Sequence, residues 1–153
     1  PSTVMEYVRY LQESCLLISI DNYVSKFVEK ETIKKHYFVD NGLLHLFINN
    51  PNTSLLENLC AITLYKKYGK GLYYYNRNIE VDFYVPDEGL VVQASYQMSD
   101  EETIEREVKA LVALHGLYPL KRAMIITYED EGEIVRDGLK IEIRPAWKWV
   151  LEC

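Results

Sequence analysis

The chain has 153 residues, a formal net charge of −6 and 48% hydrophobic residues. This length excludes a large multidomain enzyme, and the hydrophobic share is typical of a globular protein and excludes wholesale disorder. The excess of acidic side chains argues against a protein that coats nucleic acid through bulk charge, while it leaves room for a local basic groove.

The three cysteines, Cys15, Cys60 and Cys153, are an odd number and form no CxxC pair. They support neither a disulfide framework nor a structural zinc site, and they predict reduced thiols in a cytoplasmic protein. No apolar run reaches the roughly 18 residues of a membrane span, so we expect no membrane partner. Because the chain opens with Pro1 rather than Met, we also expect it to be part of a longer polypeptide.

The N-terminal third predicts a helix and then two strands joined by a basic segment. Apolar side chains recur at helical spacing over residues 4–11, and residues 16–20 and 36–39 have strand composition. The segment between the strands carries four lysines, Lys26, Lys30, Lys34 and Lys35. A helix followed by a hairpin with a basic tip is also the second half of a winged helix, so these lysines are candidate DNA contacts. The alternative is a solvated loop.

A turn-forming run at residues 49–53 marks a boundary that divides the chain into residues 1–50 and residues 51–153. Beyond it, the hydrophobic pattern predicts helices over residues 54–68, 99–116 and 145–151, and strands over residues 71–75, 79–85, 90–96, 123–127 and 139–143. Residues 129–133 have the composition of an acidic surface loop. This order predicts an α/β fold with a mixed β-sheet flanked by helices.

The predicted hairpin over residues 79–96 places polar side chains together. If its loop is residues 86–89, then Asp82 lies opposite Gln93 and Glu80 lies opposite Ser95, all on one face. The alternating residues form an apolar set that belongs to the core, namely Val81, Phe83, Val85, Leu90, Val92 and Ala94. Polar groups on a covered sheet face are costly, so this cluster is a candidate functional site.

Glu57 lies one turn into the apolar helix and is a candidate to join this cluster. The alternative is a capping box with Ser54, in which the carboxylate returns to the backbone of the cap residue.

Together, Glu57 in its helix, the sequence Glu-Val-Asp-Phe at 80–83 and the sequence Gln-Ala-Ser at 93–95 resemble the PD-(D/E)XK nuclease core. This restriction-endonuclease-like fold is found in the C-terminal domain of poorly characterised prokaryotic AAA-type ATPases. Residues 35–44 resemble the segment that links winged helix and nuclease-like core in those ATPases, and residues 55–58 resemble their helix-opening motif.

The resemblance implies a restriction-endonuclease-like core over residues 51–153, preceded by a partial winged-helix segment over residues 1–50. It also implies an ATP-binding domain upstream in the same polypeptide. The printed chain contains no GxxxxGK[ST] motif, so the P-loop would belong to that upstream domain.

In that family, a helix Glu, a strand Asp and a Glu of the next strand hold Mg²⁺, while a Lys two residues later orients the attacking water. Glu57 and Asp82 match the first two positions and are the implied metal ligands. Gln93 stands in place of the second Glu, and Ser95 stands in place of the Lys. The resemblance therefore implies a degenerate site without a cofactor, with Mg²⁺ only if Glu80 or Lys109 supplies what is missing.

Three functions follow from these features. The favoured one is a module of an AAA-type ATPase that recognises DNA or protein and is not itself an enzyme. The alternatives are an active Mg²⁺-dependent PD-(D/E)XK nuclease and a structural protein–protein interaction module. Gln93 and Ser95 argue against the nuclease, because they remove a carboxylate and an ammonium from the motif.

Overall fold

The computed structural model describes residues 2–24 and 33–153. Two of the predicted DNA contacts, Lys26 and Lys30, lie outside the described residues. The described helices are α1 (Ser2–Glu13), α2 (Asn41–His45), α3 (Asn52–Tyr68), α4 (Glu101–Leu117) and α5 (Ala146–Glu152). The described strands are β1 (Leu17–Asn22), β2 (Lys34–Phe38), β3 (Tyr73–Asn76), β4 (Glu80–Val85), β5 (Leu90–Ala94), β6 (Arg122–Thr127), β7 (Gly132–Arg136) and β8 (Leu139–Pro145).

These strands form one sheet of eight in the order β2-β1-β3-β4-β5-β6-β8-β7. The β1–β3, β5–β6 and β6–β8 pairs are parallel, and the remaining pairs are antiparallel. The expected α/β fold with a mixed sheet is thereby confirmed. Strands from both sides of the boundary at residue 50 belong to this sheet. The restriction-endonuclease-like core and the partial winged-helix segment stay predictions.

Helices cover both faces of the sheet and create two apolar cores. Cys60 and Leu64 of α3, together with Trp149 of α5, pack on the face that carries Phe83. Leu111 of α4 packs on the opposite face. Because both faces are covered, a polar side chain in the middle of this sheet is removed from water unless a cavity reaches it.

The β4–β5 hairpin has the predicted register. Phe83 pairs with Val92, and Val85 pairs with Leu90 across the turn. One detail differs from the prediction. Tyr73 pairs with Tyr84, and Tyr75 pairs with Val81. Between these two pairs, residues 82–83 of β4 lie opposite the single β3 residue Tyr74.

This extra residue in β4 is a bulge, and it changes the face to which Val81 belongs. Val81 packs with the α4-side core, whereas Phe83 and Val92 pack with the α3-side core. The prediction that Val81 shares a face with Phe83 was therefore wrong, because simple alternation along the strand stops at a bulge.

Two short elements were not predicted. Helix α2 is a five-residue helix capped by Asp40, whose carboxylate accepts hydrogen bonds from the backbone of Gly42 and Leu43. Strand β7 overlaps the predicted acidic loop and is an edge strand held by β8. Helix α2 is too short, at five residues, to show a helical repeat, and β7 lacks an apolar alternation because four of its five residues are exposed.

Among the described residues, no helix combines the length and the apolar character needed to cross a bilayer. All three cysteines carry free thiols, and Cys60 is buried.

Candidate functional site

A cavity of about 550 Å³ opens where the β4–β5 ladder ends. Its lining comprises Lys35, Glu57, Ile79, Glu80, Asp82, Gln93, Ala94, Arg106, Glu107, Lys109 and Ala110. Four of the five predicted site residues are thus brought together. The exception is Ser95.

Asp82 and Gln93 lie side by side, as the hairpin register predicts. The backbone N–H of Asp82 donates to Gln93 Oε1 at 3.1 Å, and the backbone N–H of Ala94 donates to Asp82 Oδ2 at 3.1 Å. These side chains replace the ladder hydrogen bonds that stop at Phe83 and Val92. They therefore satisfy backbone groups of two strands and are held firmly in place.

Lys35 supplies the cation of the site from the distant strand β2. Its Nζ lies 3.1 Å from Asp82 Oδ1, 3.1 Å from Glu80 Oε1 and 3.4 Å from Glu57 Oε1. The sequence interpretation treated Lys35 as part of a basic hairpin tip, and it missed this contact. The structure instead places Lys35 in a strand, where pairing with β1 directs it towards the carboxylates.

Glu57 belongs to this site and not to a helix cap. Helix α3 begins at Asn52, and its cap residue, Pro51, makes no side-chain hydrogen bond to the helix. Glu57 Oε1 accepts a hydrogen bond of 2.8 Å from the hydroxyl of Tyr37. The capping interpretation was therefore wrong.

Tyr37 was also missed as a site residue. It follows Lys35 by two positions on β2, so both side chains reach Glu57 from one face of the strand. The sequence does show that Lys35 and Tyr37 are two positions apart and so share a face of the strand. This spacing identifies Tyr37 as a site residue only once β2 is known to lie beside α3.

Burial and neighbouring charges set the protonation of the cluster. Burial is the main cause that raises the pKa of Asp82 from 3.8 to about 6, and the nearby carboxylate of Glu57 adds to it, while Lys35 opposes the shift. Burial disfavours the ammonium of Lys35, yet Asp82 and Glu57 outweigh it and raise the pKa of Lys35. Lys35 therefore stays protonated at neutral pH.

Helix α4 provides the other wall of the cavity. Glu107 is buried and accepts a hydrogen bond of 2.7 Å from the guanidinium of Arg106. Lys109 is exposed at the rim and forms no ion pair with another described residue. This wall of the cavity thus carries Arg106 paired with Glu107 and, at the mouth, the Lys109 ammonium without an ion-pair partner among the described residues.

Ser95 does not line the cavity. The backbone N–H of Ser95 donates to Ile126 of β6, and its hydroxyl donates to the backbone oxygen of Gln97 at 3.2 Å. The predicted pairing of Glu80 with Ser95 does not form, because β4 and β5 separate beyond Asp82 and Gln93. That part of the predicted polar face was wrong.

Lys34, another predicted DNA contact, is also engaged within the chain. Its Nζ lies 3.0 Å from Asp21 Oδ1 on the neighbouring strand. Of the four lysines in the predicted basic tip, the two that the structure describes are therefore paired with carboxylates.

The site as arranged does not fit the Mg²⁺ implied by the resemblance. The ammonium of Lys35 lies among the carboxylates that would bind the cation, and Gln93 Oε1 already accepts a backbone hydrogen bond. Among residues 2–24 and 33–153, no group of three or more His, Cys, Asp or Glu side chains is arranged to hold a metal ion.

Comparison of the chain with protein-family models, with curated proteins and with solved structures yields no match.

Proposed function

We propose that this chain is the C-terminal module of an AAA-type ATPase, with a nuclease-like fold and a degenerate metal site, and that it recognises DNA or protein without cleaving it. The observation that carries the proposal is the ammonium of Lys35 among Glu57, Glu80 and Asp82. A positive charge there neutralises the carboxylates and repels a divalent cation. The upstream ATP-binding domain belongs to the same proposal and rests on the sequence resemblance.

Lys109 favours DNA over protein as the partner. Its ammonium lies at the mouth of the cavity and forms no ion pair within residues 2–24 and 33–153, so it can serve as a point contact for a phosphate. The net charge of −6 limits such binding to a local contact and excludes broad coating of the duplex. A protein partner is the alternative.

A Mg²⁺-dependent nuclease is the second candidate function. Lys35 favours it, because this residue brings to Asp82 the ammonium that Ser95 does not provide. In that case Lys35 would orient the attacking water, and Gln93 would still lack the negative charge of the missing Glu.

The first prediction separates the two functions by metal binding and cleavage. We expect no Mg²⁺-dependent cleavage of single- or double-stranded DNA by the unmodified chain, and no heat of Mg²⁺ binding in calorimetry at millimolar concentration. Combining Lys35→Met with Gln93→Glu makes the cavity more negative by two charges. We expect at least tenfold tighter Mg²⁺ binding by this double variant, because carboxylates are the ligands that Mg²⁺ prefers.

The matched control combines Gln93→Glu with Lys34→Met, which removes the neighbouring lysine on the same strand but leaves Lys35 in place. We expect little gain in Mg²⁺ affinity there. Cleavage by the unmodified chain that requires Mg²⁺ and disappears in Asp82→Ala would establish the nuclease and overturn the proposal.

A further inference from the structure

A second cavity, of about 400 Å³, lies away from the acidic site. It is formed by α3, by the turn after β6 and by α5, and its lining comprises Leu59, Tyr128, Glu129, Ala146, Trp147, Val150 and Leu151. Its volume falls within the range of about 300–1,000 Å³ that ligand pockets occupy. We call this surface the α5 groove.

The apolar side chains of the α5 groove are unusually exposed. Leu151 is 81% exposed, Trp147 is 61% exposed and Tyr128 is 53% exposed. On the other side of α5, Trp149 is buried in the core, so the helix is held with this apolar face outward. A contiguous exposed apolar surface that borders a cavity is typical of an interaction site.

The charge around the α5 groove is acidic. Glu129 lines the groove and forms no ion pair with another described residue. The neighbouring Glu131 is already paired with Lys148, whose ammonium also lies 5.5 Å from the ring of Trp147. Within the described part of the chain, the carboxylate of Glu129 is therefore the one at the rim that has no ion-pair partner.

We propose that the α5 groove docks a segment of a partner protein that inserts apolar side chains into the cavity and places Lys or Arg beside Glu129. The apolar lining accounts for the first feature, and the uncompensated carboxylate accounts for the second. A second copy of this chain is a poor occupant, because each copy carries a net charge of −6 and the same acidic rim. This inference does not depend on the function proposed for the acidic site.

Positions 147, 150 and 151 follow the spacing by which a helix presents one face. An amphipathic helix with leucines on one side is therefore a suitable probe. The experiment compares two short peptides that share the same leucines and differ only in carrying Lys or Glu on the polar side. Binding to the full chain is measured by calorimetry and by tryptophan fluorescence, in which the exposed Trp147 reports on the groove beside the buried Trp149.

We expect the Lys peptide to bind in the micromolar range and the Glu peptide to bind at least fivefold more weakly. Leu151→Asp should weaken binding of the Lys peptide at least tenfold. Glu129→Lys should weaken it by roughly two- to fivefold, as is usual for an exposed charge pair. Leu46→Asp is the matched control, because Leu46 is 74% exposed and lies outside the groove.

Equal binding of the two peptides, or no binding of either at millimolar concentration, would overturn the proposal. A loss of binding in Leu46→Asp as large as that in Leu151→Asp would do the same, because it would show non-specific adsorption. Self-association of the chain that Leu151→Asp abolishes in sedimentation would assign the groove to a second copy instead. All these substitutions are at exposed or rim positions, and circular dichroism checks that each variant is folded.

Discussion

Lys35 is the cation that lies within ion-pair distance of Glu57, Glu80 and Asp82 in the described part of the chain. Three carboxylates in a partly covered cavity repel one another, and burial adds a desolvation cost for each charge. A single ammonium offsets part of this cost, and the remainder appears in the raised pKa of Asp82. The residue that defines the chemistry of the cavity is therefore a lysine from another strand.

The second prediction concerns Asp82 and pH. Because the pKa of Asp82 is about 6 in the folded chain and 3.8 ordinarily, the folded state binds more protons than the unfolded state between about pH 4 and pH 6. The contribution of Asp82 to the free energy of unfolding therefore falls as the pH rises through this interval, by up to about 1.4 kcal/mol per pH unit. Urea unfolding at several pH values, compared between the wild type and Asp82→Asn, should show this trend in their difference.

Asp87→Asn is the matched control for the chemical change, since Asp87 is exposed in the turn after β4. An exposed side chain makes few contacts in the folded chain, so we expect this variant to change the free energy of unfolding by less than about 0.5 kcal/mol. A difference between wild type and Asp82→Asn that is flat from pH 4 to pH 7, or that grows with pH, would contradict the assignment of a raised pKa to Asp82.

Among the elements, β2 depends on α3 for its position at the edge of the sheet. Asn58 is 2% exposed, and its side chain accepts a hydrogen bond from the backbone N–H of Phe38 and donates one to the backbone oxygen of the same residue. It also donates to Asn41 Oδ1 at 2.8 Å. One buried amide thus fastens the end of β2 to the helix that carries Glu57, and so positions Lys35 relative to that carboxylate.

The third prediction is that Asn58→Ala loosens β2 selectively. It leaves the half-buried backbone groups of Phe38 without their partner, which costs up to roughly 1–3 kcal/mol for each unsatisfied group. We expect hydrogen exchange to accelerate at least tenfold in β2, while the central strands β5 and β6 change only by the loss of global stability. The measurement is native-state amide exchange by NMR.

Thr63→Ala is the control on the same helix. The hydroxyl of Thr63 donates to the backbone oxygen of Leu59 within α3, and Thr63 makes no described contact with β2. Uniform acceleration throughout the sheet in Asn58→Ala, with no excess in β2, would show that the amide stabilises the fold as a whole and does not fasten this strand.

At the scale of the whole molecule, strands β1 and β2 are connected to the rest of the sheet by short strand pairing and by extensive core packing. Among the described residues, β1 pairs with β3 through two residue pairs, Asp21 with Tyr73 and Asn22 with Tyr74. The ring of Tyr23 then packs edge-on at 5.1 Å from Tyr84. Ile18, Ile20 and Tyr37 belong to the same apolar core as Phe83. Shared core packing of this kind couples two parts of a chain into one unfolding unit.

The fourth prediction is therefore that the chain unfolds in one cooperative transition. Tryptophan fluorescence reports on α5 through Trp147 and Trp149, and the ring proton signals of His36 report on β2. We expect the two probes to give the same urea midpoint. A lower midpoint for His36 by more than the experimental error would show that residues before the boundary at 50 unfold as a separate unit.

The sequence by itself predicted the features that depend on neighbouring residues. The apolar spacing along α3 and α4 and the buried run of β6 identified those elements, because each pattern repeats within one segment. The register that sets Asp82 beside Gln93 was also predictable, since a short turn determines how its two strands pair. Glu80, Asp82 and Gln93 could thus be identified as a cluster without coordinates.

Only the tertiary structure decided which cation completes the site. Lys35 and Asp82 are separated by 47 positions in the chain, and their contact arises because β1 brings β2 into the sheet beyond β3. No local pattern states which distant strand will lie beside α3. From the sequence, Lys35 was therefore placed in a loop, and for Glu57 both the polar cluster and a helix cap stayed open. The bulge at residues 82–83 was hidden for the same reason: it is a mismatch between β3 and β4, and it exists only when the two strands are paired.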